Sequence, residues 1–170
     1  VGGESYETLQ DAIDAASVGG AVRLLAYTSE DITIGKSLTL DLNGKTITAT
    51  GNKTPAITVT GGVVLLQDGT ITGGKGVIKS TGADLTVKNC SIQENAAKTN
   101  GGGIYAEGGS LKLERGEIAG CTGSTGGAIY AKNCTVSLNG TEIRSNTASR
   151  SSAIYAADCT VTLTNADILE

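Results

Sequence analysis

The chain has 170 residues, a formal net charge of −4 and 25 glycines. The acidic balance, with no basic run, excludes a surface that neutralises nucleic-acid phosphates. No apolar run is long enough to cross a bilayer as a helix, and no signal peptide opens the chain.

Residues 1–20 predict an amphipathic helix. Tyr6, Leu9, Ala12, Ile13 and Ala16 share one face, and Glu7, Gln10, Asp11 and Asp14 occupy the others. Ser5 is the expected N-cap and Gly19-Gly20 the expected stop. Residues 21–170 are different. Val22, Leu24, Ile32 and Ile34 enter an irregular first coil. One phrase then recurs six times: Leu40-Leu42-Ile47, Val64-Leu66-Ile71, Leu85-Val87-Ile92, Leu111-Leu113-Ile118, Val136-Leu138-Ile143 and Val161-Leu163-Ile168. The steps are 24, 21, 26, 25 and 25 residues. Ile57, Ile78, Ile104, Ile129 and Ile154 each stand seven positions before the first member of their copy.

Units of this length stack, because none can bury its apolar face alone. Period-two alternation, as in Leu111-Lys112-Leu113, makes each phrase a strand with one buried face. Gly, Asn, Ser and Asp between the phrases turn corners. Antiparallel hairpins would not hold equivalent residues in register over five steps. Leucine-rich repeats share the period but need a longer consensus and a helical segment. The prediction is therefore all-β: a parallel β-helix of about six coils, two or three short strands per turn, right-handed by the crossover rule. Six coils stand roughly 25–30 Å tall. The helix is expected to cap the first coil's apolar interior and bare strand edge. The whole reads as one domain, a capping helix (1–20) and a β-helix (21–170), cut from a longer chain.

Four cysteines follow. Cys134 and Cys159 are 25 residues apart and share one register position, two before Val136 and Val161. Stacked buried thiols and a disulfide both fit that register, and parallel side chains seldom reach disulfide torsion, which favours thiols. Cys90 and Cys121 read as small apolar fillers at corners. With no His and no Cys-x-x-Cys pair, zinc is not expected. No nonapeptide calcium repeat occurs, and no cofactor is predicted.

Tyr105, Tyr130 and Tyr155 follow Ile104, Ile129 and Ile154. If the isoleucines point inward, the tyrosines form an outward file, with Lys79 one coil earlier. Such a file stabilises neighbouring coils by stacking, and it is also a candidate surface for sugar faces.

Gly102-Gly103-Ile104-Tyr105-Ala106 and Gly127-Ala128-Ile129-Tyr130-Ala131, with Ile-x-x-Asn at Ile92–Asn95 and Ile143–Asn146, resemble the GGAI and FxxN repeats of chlamydial polymorphic outer-membrane proteins. Tyr6-Glu7-Thr8-Leu9-Gln10-Asp11-Ala12-Ile13 and Leu40-Asp41-Leu42-Asn43-Gly44-Lys45-Thr46-Ile47 are similar to segments that open pectin-lyase-like β-helix regions in large surface proteins of Gram-positive gut bacteria. Three departures stand out: Ile replaces the Phe, Cys121 replaces an Asn, and Ser152-Ala153 replaces the glycine pair. The resemblance implies an extracellular bacterial surface protein, an adhesin or stalk, with a host glycan or surface protein as partner.

Pectin-lyase-type folds include polysaccharide lyases and glycosidases, and glycosidases need two converging carboxylates. Here Asp41, Asp68, Asp84, Glu94, Glu107, Glu114, Glu117, Glu142, Asp158 and Asp167 look scattered, and Glu114-Arg115-Gly116-Glu117 reads as a solvated turn. The expected function is thus non-catalytic, with a carbohydrate-active enzyme as one alternative. A self-assembling filament is the other, because the last coil, at Ile168-Leu169-Glu170, has no polar cap.

Overall fold

The computed structural model describes residues 3–51, 54–74 and 78–169. Val1, Gly2 and Glu170, at the ends of the two predicted segments, lie outside the described residues. One helix, α1 (Leu9–Ala15), precedes sixteen described strands. These are β1 (Gly20–Arg23), β2 (Ile32–Ile34), β3 (Leu38–Asp41), β4 (Thr46–Thr48), β5 (Ile57–Val59), β6 (Val63–Gly74), β7 (Ile78–Asn95) and β8 (Ile104–Ala119). The later ones are β9 (Thr122–Thr125), β10 (Ile129–Lys132), β11 (Thr135–Asn139), β12 (Glu142–Arg144), β13 (Thr147–Arg150), β14 (Ile154–Ala157), β15 (Thr160–Thr164) and β16 (Asp167–Leu169).

Every pairing among the described residues is parallel, and the chain is a parallel β-helix. Register runs Ile32, Ile57, Ile78, Ile104, Ile129, Ile154, which closes five circuits. About six coils were expected from six copies of the phrase, but six copies of one side bound only five intervals. Partial turns remain at each end: β1 lies against β3, and β15 and β16 complete the last coil.

The regular coils have four sides rather than two or three. In the coil that starts at Ile104, β8 bends around two corners and supplies residues 104–107, 110–114 and 117–119, and β9 is the fourth side. That side escaped the apolar pattern because Thr122-Gly123-Ser124-Thr125 and its partner Thr147-Ala148-Ser149-Arg150 carry no large aliphatic residue.

Left-handed residues make the corners. Asn133 and Asp158 sit at the first, Asp68, Asn89, Arg115 and Asn165 at the second, Glu94 and Ser145 at the third, and Ser151 at the fourth, all with φ between 48° and 59° except Arg115 at 61°. Asn and Asp bear this backbone at low cost because their short side chains bond locally. Asn89 Nδ2 donates to Asp68 Oδ1 at 2.8 Å, tying one corner to the next along the file.

Inside, aliphatic files stack along the axis. Ile57, Ile78, Ile104 and Ile129 have no exposed surface, nor do Leu40, Val136 and Leu138. The repeat's departures have packing reasons. A Cβ on Gly102 would stand 2.2 Å from the Gly127 carbonyl oxygen, and one on Gly127 would stand 2.3 Å from that of Ser152. No described strand lies over Ser152, so a side chain fits there. At the third corner Asn95 Nδ2 donates to the Ile71 carbonyl (3.4 Å) and Asn146 Nδ2 to the Ile118 carbonyl (2.9 Å). Between them the Cys121 thiol reaches the Ile92 carbonyl at 3.8 Å, a weaker form of the same link. Cys121 is therefore a member of the Asn file.

The helix covers the first coil, but it is shorter than predicted. Thr8, not Ser5, is the N-cap: its hydroxyl accepts from Asp11 N at 3.1 Å, and Thr8 Oγ1 donates to Asp11 Oδ2 at 2.7 Å. The helix ends at Ala16, before Gly19-Gly20. Leu9, Ala12, Ile13 and Ala16 close the core. The Gln10 amide donates to the Thr33 carbonyl and accepts from Thr33 N, so one side chain imitates a strand against the exposed edge of β2. Lys36 Nζ donates to the carbonyls of Asp14 and Ala16 at the helix C-terminus. At the other end Val161, Leu163 and Ile168, in the same inward files, are 39%, 48% and 43% exposed.

Candidate functional site

The first side presents the tyrosine file. Tyr105, Tyr130 and Tyr155 are in register across β8, β10 and β14. Their ring centroids are 5.1 and 5.2 Å apart with planes 9° and 12° from parallel. Rung spacing of about 4.8 Å imposes this separation. Offset stacking at such distances contributes about 0.5–1.5 kcal/mol per pair.

Stacking changes what the file can bind. Both faces of Tyr130 are covered by its neighbours. The Lys79 ammonium stands 5.9 Å from the Tyr105 centroid, on the coil before it. Only ring edges, phenol oxygens and the outer face of Tyr155 are left for a ligand. A sugar cannot lie flat on the inner rings.

Charge flanks the rings. Tyr105 Oη donates to Glu107 Oε2 at 2.6 Å, and Lys132 Nζ lies 3.3 Å from Glu107 Oε1. The bond to Glu107, followed by burial, pushes the Tyr105 phenol up to about 12. Reciprocally, Tyr105 and then Lys132 hold the Glu107 carboxyl below its ordinary value.

The cysteine pair lies at the first corner. Cys134 and Cys159 are free thiols with Sγ atoms 3.6 Å apart, so no disulfide joins them. Cys134 is buried and Cys159 partly exposed, in a shallow depression lined also by Asn133, Thr135, Asp158 and Thr160. Burial, with the neighbouring thiol, pushes Cys134 up to about 11. Cys90 is buried at the second corner, in register with Gly69 and Gly116, and burial pushes it up to about 11.

The carboxylates are less scattered than the sequence suggested. Glu117, Glu142 and Asp167 form one outward file on the third side. The signal was present, since each immediately precedes a core isoleucine, Ile118, Ile143 or Ile168. Arg144 binds two of them, Glu117 through Nη2 at 2.7 Å and Glu142 through Nε at 2.9 Å. Ser91 also donates to Glu117 at 2.7 Å. The Ser91 hydrogen bond, with the hydrogen bond and charge of Arg144, holds the Glu117 carboxyl low against partial burial. Elsewhere Asp41 pairs with Arg23, Glu114 with Lys112, and Asp84 accepts from Ser110. Glu114 and Glu117 diverge onto different sides around left-handed Arg115. Among the described residues no three His, Cys, Asp or Glu side chains are placed to hold a metal ion, and no helix is long and apolar enough to cross a membrane.

The chain matches no protein-family model, no curated protein and no solved structure. The resemblance to chlamydial and pectin-lyase-like repeats rests on the sequence motifs alone, and the structure shows a parallel β-helix.

Proposed function

We propose that this chain is a non-catalytic, rigid module of an extracellular bacterial surface protein, a spacer that presents the tyrosine side to a partner. One observation carries the reading: parallel register holds without interruption from Ile32 to Ile154. A bend would need rungs to separate on one side, which breaks ladder bonds and opens aliphatic files together. The likeness to surface-protein repeats supports the extracellular setting. Three of the four thiols, Cys90, Cys121 and Cys134, are buried, so an oxidising exterior reaches them poorly.

The adhesive contact is with an extended glycan or protein segment lying along the rings. It hydrogen-bonds the phenols of Tyr130 and Tyr155 and uses the alternating charges of Lys79, Glu107 and Lys132. The test replaces Tyr105, Tyr130 and Tyr155 together by Ser and measures urea stability and glycan-array binding. Two lost stacks cost about 1–3 kcal/mol. Loss of a wild-type array signal supports the contact. Reduced stability with unchanged binding, or no wild-type signal, retires the adhesive half.

A second reading is self-association, favoured by the exposed inward residues Val161, Leu163 and Ile168. A second copy of the chain, placing the same edge against this one, would cover them. Light scattering over a hundredfold concentration range tests it. A monomer throughout removes the reading, and a dimer abolished by Leu163→Asp supports it.

A further inference from the structure

Cys134 and Cys159, on adjacent coils, hold their thiols 3.6 Å apart at a surface depression. They lie one residue before the registered pair Thr135 and Thr160, so their backbones are one rung apart, about 4.8 Å. The side chains leave neighbouring rungs side by side. We propose that Cys134 and Cys159 form a two-coordinate site for a soft monovalent cation of the Cu(I) class.

The rung spacing selects this chemistry. A soft metal bridging two thiolates in a line holds the sulfurs about 4.6 Å apart, twice a typical metal–thiolate bond of about 2.3 Å. The sulfurs need to open by about 1 Å. A disulfide instead requires the sulfurs to close from 3.6 Å to about 2.05 Å with a Cβ–S–S–Cβ torsion near 90°, which parallel side chains on adjacent rungs seldom reach. Zinc wants four ligands, and among the described residues no third metal-binding side chain joins the pair. Two thiols suit a cation content with two.

The site is reachable. Cys159 is partly exposed, and the Asp158 carboxylate on the rim adds negative charge to the approach. Binding is balanced: each thiol releases one proton to solvent, one cation is taken up, and the bis-thiolate complex carries one negative charge. No electron moves. The Cys159 thiol gives up its 3.2 Å bond to the Ala157 carbonyl. The bridged corners belong to the last described coil and the one below, so the cation pins the coil whose inner residues are most exposed.

The experiment titrates the reduced protein, without oxygen or chloride, with Ag(I) as a stable probe of the same class. Calorimetry and the ultraviolet thiolate–metal absorption are the readouts. The expected result is one Ag(I) per chain and slower amide exchange in residues 160–169. Cys159→Ser lies in the exposed coil and leaves the core intact. It should weaken Ag(I) at least about a hundredfold, because the chelate is lost, and Cys90→Ala should retain wild-type binding. Two outcomes overturn the site: Cys159→Ser binding as tightly as wild type, or the reduced, folded wild-type protein taking up no Ag(I).

Discussion

Leu138 and Leu163 occupy the same inward file one coil apart, yet Leu138 has no exposed surface and Leu163 is 48% exposed. Truncating each to Ala removes the same three carbons, worth about 2.4 kcal/mol of transfer at roughly 0.8 per methylene. Leu138 lies between Leu113 below and Leu163 above, so its removal also leaves an enclosed void. Buried Leu→Ala changes with such voids cost about 2.7–5 kcal/mol, and about 3–4 is expected here. At Leu163 nearly half the surface already meets water and no void closes, so the cost falls to about 1 kcal/mol. The difference of about 2–3 kcal/mol is read by urea denaturation of the two variants, followed by far-ultraviolet circular dichroism. Equal costs within about 0.5 kcal/mol would refute stacked files, because no other feature distinguishes the two positions.

Gly127→Ala drives a Cβ toward two backbone carbonyls, Ser152 at 2.3 Å and Thr147 at 2.7 Å. Backbone cannot step aside, so destabilisation of about 3 kcal/mol is expected, against less than about 0.5 for Ser152→Ala, measured in the same denaturant series. Alkaline titration should show one phenol ionising near 12, Tyr105. A pKa raised by folding stabilises below the ordinary tyrosine value of about 10, and that contribution is lost as pH rises from 10 to 12. Glu107→Gln should return this phenol toward 10 in a phenolate-absorbance titration, and an unchanged curve would show that the pair is not bonded. Glu107, Glu114 and Glu117 are all held below their ordinary values. Their contribution is present above about pH 4.3 and lost on acidification, so thermal stability should fall below pH 4. Arg144→Gln should flatten that fall, since it removes one partner of Glu117, and a fall as steep as wild type would show the ion pair to be inert.

What the sequence revealed follows from which residues carry a period. Ile57, Ile78, Ile104, Ile129 and Ile154, and the tyrosines beside three of them, sit on strands whose inner and outer residues differ sharply, so alternation exposes register. The fourth side has Gly123 and Ala148 facing inward and hydroxyls outward, and no alternation of hydrophobicity distinguishes it from a loop. Arg115 and Glu94 turn corners with no turn-forming character of their own, and neighbouring rungs impose their left-handed backbone. Thr8 displaced Ser5 as helix cap because Leu9 must meet the coil, and the Glu30 carboxylate accepts from Leu9 N to fix that start. The acidic file at Glu117, Glu142 and Asp167 was readable at a step of 25 residues, whereas Arg144's bridge between two of its members needed coordinates. Covering of the tyrosine faces also needed them, because spacing places rings on one side without orienting their planes.

Methyl–methyl cross-relaxation in protein labelled only at isoleucine δ1 probes the winding of the chain most directly. The fold predicts cross-peaks linking Ile78 to Ile104, Ile104 to Ile129 and Ile92 to Ile118, and the same for Ile118 and Ile143, all between residues 25 or 26 apart. Cross-peaks confined to residues close in sequence, or a pattern in which separation changes steadily along each pair as in hairpins, would contradict it.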